Sequence, residues 1–286
     1  MDPKQLLALY RAMVSARRID ALELELTSRG EAFFHVSGAG HEGTAVLASL
    51  LHDEDWLLCH YRDKALMLAR GLSPRVFFDG LYNKQESQTR GRQMCAHAFA
   101  DPRLKIMSAP VPVGNAALHT VGVASVIKPY STRPLVLNSI GDGATQEGEF
   151  LEACAEAVRA QLPILFLIQD NHLAISTPTK GQTFYSRPDG EAESFYGMPI
   201  TRIDGRHVVT AWQQMREVVS KIRQQRQPQV VLFDVERLAS HTNADDETIY
   251  READEIRRVG ETSDPIRNLE EYLLGALCNE KMLESI

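Results

Sequence analysis

Two apolar runs with a helix-compatible segment between them dominate the hydrophobic pattern of this chain. They lie within 135–175, and the segment that joins them is Glu147–Ala160. Each run is short, rich in Leu, Ile and Val, and followed by polar residues, which is typical of a buried strand. Strand, helix and strand in this order predict a βαβ unit whose two strands are parallel neighbours.

The same alternation continues on both sides of this unit. A leading helix is predicted over Pro3–Thr27, where apolar residues follow helical spacing. Further helices are predicted at His41–Leu51, Arg62–Arg70, Ala116–Ile127, Val208–Gln225 and Pro265–Cys278. Further strands are predicted at Ala32–Val36, Trp56–Tyr61, Thr201–Ile203 and Val230–Glu236. We expect an α/β fold with three layers, a mostly parallel sheet and helices on both faces, formed by one domain over 1–286.

Two polar stretches interrupt this pattern, at 77–110 and 239–246. Both are predicted to be loops. A long irregular stretch inside a compact domain is usually functional or mobile.

Composition narrows the classes of function. The net charge of −7 over 286 residues argues against nucleic acid as the main partner, because phosphate backbones require a basic face. No apolar run approaches the roughly 20 residues that span a bilayer, and the N-terminus has no signal or transit pattern. Four scattered cysteines without a CxxC pair indicate reduced thiols in a cytoplasmic protein. They are Cys59, Cys95, Cys154 and Cys278.

Oxygen donors follow both strands of the βαβ unit. The first strand ends in Gly141-Asp142-Gly143 and the second in Asp170-Asn171, with 27 residues between Gly143 and Asn171. Open α/β sheets bind ligands at the carboxyl edge of their strands. A carboxylate and an amide oxygen there suit Mg²⁺, which keeps water and phosphates as its other partners. The helix that opens after Gly143 offers free N–H groups to phosphate at the same edge.

A second glycine motif competes with this interpretation. Residues 38–43, Gly-Ala-Gly-His-Glu-Gly, fit the dinucleotide pattern GxGxxG. That site also needs an acidic residue roughly 20 positions on, at the end of the next strand. Asp63 lies near that place but follows Tyr61-Arg62 and not an apolar strand, so a turn that caps a helix is the better interpretation.

Histidines in polar loops are the better candidates for proton transfer. His97 and His241 lie in such loops. Four others have no visible chemical partner in the sequence and are expected at the surface or as polar groups in the core. They are His41, His52, His60 and His207.

Eight ordered segments resemble a known family. They are GAGHEGTAV, CHYRDKALMLARG, GRQMCAH, GVASVIK, IGDGATQEGEF, QLPILFLIQDNHLAIST, RIDGRHV and ERLASHTNADDETIYR. The chain resembles the alpha subunit of the thiamine diphosphate-dependent 2-oxo acid dehydrogenases, the decarboxylating first component of those complexes. The segment GRQM followed by His is most similar to the branched-chain version, and the pyruvate and acetoin versions stay open.

The resemblance implies roles for particular residues. Asp142, Asn171 and the backbone carbonyl of Leu173 would hold Mg²⁺, while His241 and His97 are the catalytic candidates. The residues implied to bind thiamine diphosphate are Tyr61, Arg62, Gly141, Asp142, Gly143, Ala144, Asn171, Ala174 and His241. An Arg fork suits the geometry of the diphosphate.

The resemblance also implies partners. A beta-type chain would hold the pyrimidine end of the cofactor, a lipoyl-bearing acyltransferase would accept the acyl group, and two copies of each chain would form a heterotetramer. The chain is either naturally short or the leading part of an alpha–beta polypeptide.

Several positions depart from the family pattern. Gln169 replaces an Arg of the branched-chain type, and Asp170, His172, Leu173 and Ser240 differ as well. These changes motivate an alternative, a subunit that keeps the thiamine diphosphate fold for assembly without catalysis.

Overall fold

A parallel sheet built from the apolar runs forms the centre of the structure. The computed structural model describes residues 1–87, 99–108, 112–276 and 283. Its strands are β1 (Trp56–Leu58), β2 (Ile106–Met107), β3 (Val136–Gly141), β4 (Ile164–Asp170), β5 (Leu173–Ala174), β6 (Thr177–Pro178), β7 (Ser186–Arg187), β8 (Gly190–Glu191), β9 (Ser194–Phe195), β10 (Met198–Asp204) and β11 (Gln229–Asp234). Within the described residues, the order across the main sheet is β2-β1-β3-β4-β11-β10-β9, and only the β9–β10 pair is antiparallel.

Helices cover both faces of this sheet. They are α1 (Pro3–Ser28), α2 (Lys64–Ala69), α3 (Pro74–Leu81), α4 (Ala116–Ile127), α5 (Gly148–Arg159), α6 (Val208–Gln225), α7 (Ala253–Thr262) and α8 (Pro265–Ala276). Strand β4 shows why its sequence is apolar throughout. Leu165 and Leu167 belong to the same core cluster as residues of α1, α6 and α8, whereas Ile164, Phe166 and Ile168 belong to the cluster that contains residues of α4 and α5. The α/β class with a mostly parallel sheet and helices on both faces is confirmed.

The register of β3 and β4 sets the position of the polar residues that follow them. The two strands are parallel, and Gly141 pairs with Gln169. Asp142 and Asn171 therefore leave the sheet at the same edge. A short 3₁₀ turn, Gly143–Gln146, precedes α5, so the helix begins at Gly148 and not directly after Gly143.

Some predicted elements are wrong. Residues 32–36 form no strand, and the backbone N–H and carbonyl of His35 bond instead to the side chain and the N–H of Asn243 in the late loop. His41–Leu51 contains the 3₁₀ segment Glu42–Ser49 in place of an α-helix. The predicted loop 77–110 contains the end of α3 and strand β2, and α7 had no prediction. His97 lies outside the described residues.

Across the described ranges, no helix combines the length and the apolar character that crossing a membrane requires.

Candidate functional site

A cavity of about 440 Å³ opens at the carboxyl ends of β3 and β4. Loops from both halves of the chain complete its wall. The wall includes ten residues proposed from sequence, which are Tyr61, Arg62, Gly141, Asp142, Gly143, Ala144, Asn171, Leu173, Ala174 and His241. The structure thus brings together every candidate that it describes, although their separate roles stay predictions.

Asp142 supplies a buried carboxylate to this cavity. Its Oδ1 accepts a hydrogen bond from Gly143 N at 2.9 Å, and its Oδ2 accepts one from Thr179 Oγ1 at 3.0 Å. Burial and the neighbouring carboxylate of Asp170 raise the pKa of Asp142 to about 7. A divalent cation would favour the ionised form of such a carboxylate, so Asp142 fits a metal ligand.

The Gly143 N–H already donates to Asp142 Oδ1 within the turn. The Ala144 N–H is consequently the better backbone donor for a phosphate. Gly143 itself is required by packing. A Cβ at this position would lie 2.5 Å from the Cβ of Ala174, on the loop that follows Asn171. Only glycine lets these two cavity walls approach so closely.

Asn171 is held by a buried polar group behind the cavity. Its Oδ1 accepts a hydrogen bond from Leu173 N at 3.2 Å, and its Nδ2 lies 3.3 Å from His41 Nε2. His41 Nδ1 in turn lies 2.6 Å from Gln169 Oε1. Burial and the charge of Arg62 lower the pKa of His41 to about 3, so this imidazole is neutral.

Gln169 is buried in the sheet and does not line the cavity. Its Nε2 donates to Asp63 Oδ1 at 2.8 Å and to Ser139 Oγ at 2.7 Å. Gln169 therefore supports the site from behind, and Arg62 is the one guanidinium among the described residues of the cavity wall.

Arg62 is a buried cation that faces His241. Its Nη1 donates to the carbonyl of Ser37, and its Nη2 donates to His241 Nδ1 at 3.0 Å. A guanidinium can only donate, so Nδ1 of His241 is an acceptor and the ring proton lies on Nε2. Burial and the charges of Arg62 and Arg237 lower the pKa of His241 to about 4, which agrees with a neutral ring.

Unsatisfied polar atoms indicate what kind of ligand the cavity fits. Among the described residues, no carboxylate lies within ion-pair distance of Arg62, and its buried Nε has no hydrogen-bond partner. The buried Oδ1 of Asn138, on the same wall, also lacks one. Because buried charges and polar groups are costly unless paired, an anion fits near Arg62 and a hydrogen-bond donor fits near Asn138.

Further along the same sheet edge lies a second cavity, of about 710 Å³. Asp170, Asp234 and Asp204 stand side by side at the ends of β4, β11 and β10. His172 lies 3.3 Å from Asp170 and 2.9 Å from Asp234, and Arg206 bonds both Asp234 and Asp204 at 2.8 Å. Each of these three carboxylates thus has at least one basic partner within the protein.

The residues that support the site from behind were not predicted from the sequence. His41, expected at the surface or as a polar core group, is fully buried and contacts Asn171, 130 positions away. Asp63 and Thr179 were not proposed as site residues. His60, also set aside, lies on the cavity wall. The segments containing His41, His60 and Asp63 carry the family resemblance, which is the one signal that could have drawn attention to them.

The motif at 38–43 has a packing role. Gly40 has φ +95°, and a Cβ there would lie 1.8 Å from the carbonyl oxygen of Glu236. Because no strand precedes this motif and no α-helix follows it, the geometry of a dinucleotide site is lacking.

Comparison with known proteins gives a family match. The family model described as "Dehydrogenase E1 component" matches residues 10–285. The 3-methyl-2-oxobutanoate dehydrogenase subunit alpha of Mycobacterium tuberculosis (strain ATCC 25618 / H37Rv) is 33% identical over 269 residues, which are 93% of this chain and 69% of that protein. The 2-oxoisovalerate dehydrogenase subunit alpha of Bacillus subtilis (strain 168) is 28% identical, over 93% of this chain and 80% of its own length.

The mitochondrial 2-oxoisovalerate dehydrogenase subunit alpha of Homo sapiens is 29% identical over 96% of this chain. The match covers 61% of the human protein.

Proposed function

This chain belongs to the dehydrogenase E1 component family, and we propose that it binds Mg²⁺ and thiamine diphosphate for the oxidative decarboxylation of a 2-oxo acid. One observation carries the proposal. A single cavity is lined by the carboxylate of Asp142 and the guanidinium of Arg62, and neither has a partner of opposite charge within ion-pair distance among the described residues. A cation and a diphosphate together satisfy both groups.

The chain's own residues bind and orient the cofactor. Asp142, Asn171 and the carbonyl of Leu173 would hold Mg²⁺, while Tyr61 and Arg62 would contact the diphosphate. Gly141, Gly143, Ala144 and Ala174 would form the surrounding backbone wall. When bound, thiamine diphosphate supplies a nucleophilic thiazolium carbon and accepts the electrons released with carbon dioxide.

His241 would handle a proton beside the reacting atoms. Because Arg62 occupies its Nδ1, the proton at Nε2 is the one available for donation. A neutral imidazole in this state can stabilise a developing negative charge by a hydrogen bond from Nε2–H, and the ring keeps its proton. His97, outside the described residues, stays a proposal from its place in a polar loop and from the resemblance.

The relatives' names supply the substrate class and the partners of the proposal. The Bacillus and human relatives are alpha subunits of 2-oxoisovalerate dehydrogenase, so we infer a branched-chain 2-oxo acid as substrate. A beta-type chain would hold the other half of the cofactor in a heterotetramer, and a lipoyl-bearing acyltransferase would accept the acyl group. The single domain over 1–286 and the cytoplasmic location are inferred from sequence.

The test is decarboxylation of 3-methyl-2-oxobutanoate with an artificial electron acceptor, with and without a co-expressed beta-type chain. We expect turnover only with both chains. Turnover by this chain alone would contradict the divided site. Tight cofactor binding without turnover in the complex would favour the alternative of an assembly subunit without catalysis.

His241→Ala tests the proton role in the same assay. Turnover should fall by about 100-fold or more, which is typical of losing a general acid or base. The exposed His207 offers a matched control, since His207→Ala removes an imidazole far from the cavity. If His241→Ala turns over like the His207→Ala control, His241 has no part in the chemistry.

A further inference from the structure

Four side chains behind the cavity form one continuous row of hydrogen bonds. Asp63 Oδ1 is 2.8 Å from Gln169 Nε2, and Gln169 Oε1 is 2.6 Å from His41 Nδ1. His41 Nε2 is 3.3 Å from Asn171 Nδ2. All four side chains are buried, and their order is Asp63, Gln169, His41 and Asn171.

The direction of this row is fixed at the Asn171 end. Leu173 N–H lies 3.2 Å from Asn171 Oδ1, and a backbone N–H can only donate. The oxygen of this amide therefore faces Leu173, and its NH₂ group faces His41. Nε2 of His41 must then accept, which leaves the ring proton on Nδ1 to donate to Gln169 Oε1.

The other end imposes the same direction independently. His60 N–H donates to Asp63 Oδ2 at 2.7 Å, and Gln169 Nε2 donates to Asp63 Oδ1. A carboxylate accepts at both oxygens, so the NH₂ group of Gln169 faces Asp63. Its oxygen is consequently turned to His41, in agreement with the first end.

We propose that Asp63, Gln169 and His41 are positioning residues that hold the Asn171 amide in one orientation. The oxygen of Asn171 is kept toward the Leu173 turn and the cavity, and the NH₂ group is kept away. A carbonyl oxygen has a second lone pair beyond the one used by Leu173 N–H, and that lone pair is what a cation needs. A reversed amide would present N–H donors to the cation instead.

The row explains why His41 is buried in a place where a histidine is costly. An isolated amide at a strand end can turn either way, because its oxygen and nitrogen are nearly equal in size. Partners behind a metal ligand commonly remove that freedom. The part of the inference that concerns the cation rests on the proposed function.

The first measurement needs no cofactor. Nitrogen-15 NMR of the full chain labelled at histidine distinguishes the two neutral tautomers, and His41→Phe identifies the His41 signals by their loss. We expect His41 to carry its proton on Nδ1. A proton on Nε2 would overturn the proposal whatever the chain binds.

The decisive variant is Asp63→Asn, which changes one oxygen into an NH₂ group at nearly constant volume. His60 N–H would hold the oxygen of the new amide, so its NH₂ group would face Gln169. Gln169 then has to turn, and its NH₂ group would face His41 Nδ1. We expect the proton of His41 to shift to Nε2, in conflict with the orientation that Leu173 N–H imposes on Asn171.

The second measurement is binding of Mn²⁺ with thiamine diphosphate to the full chain in complex with the co-expressed beta-type chain, followed by electron paramagnetic resonance. Asp63→Asn and His41→Phe should each bind Mn²⁺ about 10–100-fold more weakly, as is typical for partners of metal ligands. His207→Phe removes an exposed imidazole and should bind like the wild type. Circular dichroism and thermal unfolding would show that each variant is folded.

The outcomes separate the two proposals. Wild-type affinity in both folded variants would overturn the positioning role and leave the proposed function standing. A wild-type complex that has the His41 proton on Nδ1 but fails to bind Mn²⁺ and thiamine diphosphate would overturn the proposed function, while the direction of the row would be supported.

Discussion

Two groups of carboxylates at one edge of the sheet differ in how their charge is balanced. Asp204, at the end of β10, bonds Arg206, and this contact holds its pKa below the usual range although burial acts in the opposite direction. Asp142, after β3, has no basic side chain within ion-pair distance among the described residues, and burial together with Asp170 raises its pKa. The two share a sheet edge and a residue type, yet only one is neutralised by the protein.

His172 and Arg206 account for this difference. The hydrogen bond to Asp234 raises the pKa of His172 to about 9, with a further contribution from the charge of Asp170. His172 is therefore a cation near neutral pH and, with Arg206, neutralises the Asp204 side of the edge. Acidic strand ends alone therefore do not make a binding site. The site is marked by the carboxylate that has no basic partner.

The largest expected difference lies between Asp142→Ala and Asp204→Ala. Asp142→Ala should weaken Mg²⁺-dependent binding of thiamine diphosphate by more than about 100-fold, since even partners of metal ligands cost about 10–100-fold. Asp204→Ala should bind the cofactor like the wild type. Titration calorimetry at equal Mg²⁺ measures both, and equal losses in the two variants would remove the distinction between the two groups.

A smaller difference in cofactor affinity is expected between substitutions of Arg62 and of Arg206. Arg62→Gln should lower cofactor affinity by about 10–100-fold, because a hydrogen bond to a charged group contributes about 1.5–3 kcal/mol. Arg206→Gln should leave affinity unchanged and cost at most about 1 kcal/mol of stability, because its ion pairs are partly exposed. Calorimetry and urea unfolding separate the effects. A loss of affinity in Arg206→Gln would show that the neutralised group also serves the cofactor.

The smallest expected effect is on the free energy of unfolding of the cofactor-free chain at acid pH. The pKa of His241 falls from an ordinary value near 6.5 to about 4, because of burial and then the charge of Arg62. The unfolded chain binds this proton first, so stability is lost as the pH falls from about 6.5 towards 4. At pH 5 the loss relative to pH 7 is at most about 2 kcal/mol, and solvent screening of this partly exposed group makes it smaller.

His241→Gln should remove that part of the pH dependence. Urea unfolding at pH 7 and pH 5 measures it for the wild type and the variant. An equal fall in the free energy of unfolding in both proteins would contradict a neutral, buried His241.

Much of the cavity wall was predictable because parallel strands obey simple geometry. Asp142 and Asn171 had to share an edge once β3 and β4 were recognised as neighbours, and the family resemblance added Arg62 and His241. What lies behind the wall was not predictable. The contact of His41 with Asn171 joins positions 130 residues apart, and no periodicity in the chain encodes it.

Short apolar segments gave the wrong strand predictions, because the sequence does not show which segments lie beside them in the fold. Residues 32–36 read as a strand, but a strand needs a neighbour to pair with, and the sequence does not show whether one is near. Strand β10 extends over seven residues where three were predicted, because its last five residues pair with β11 and its first two pair with β9.

By itself the sequence determined the α/β class, the family and the strand ends that carry oxygen donors. The hydrophobic period and the spacing of local motifs depend on neighbours along the chain, so both can be recognised in the sequence alone. Which charges are balanced and which way a buried amide faces became visible only in the folded protein. Arg206 bonds Asp234 across 28 positions and His41 contacts Asn171 across 130, so these properties depend on distance in space and on hydrogen-bond direction.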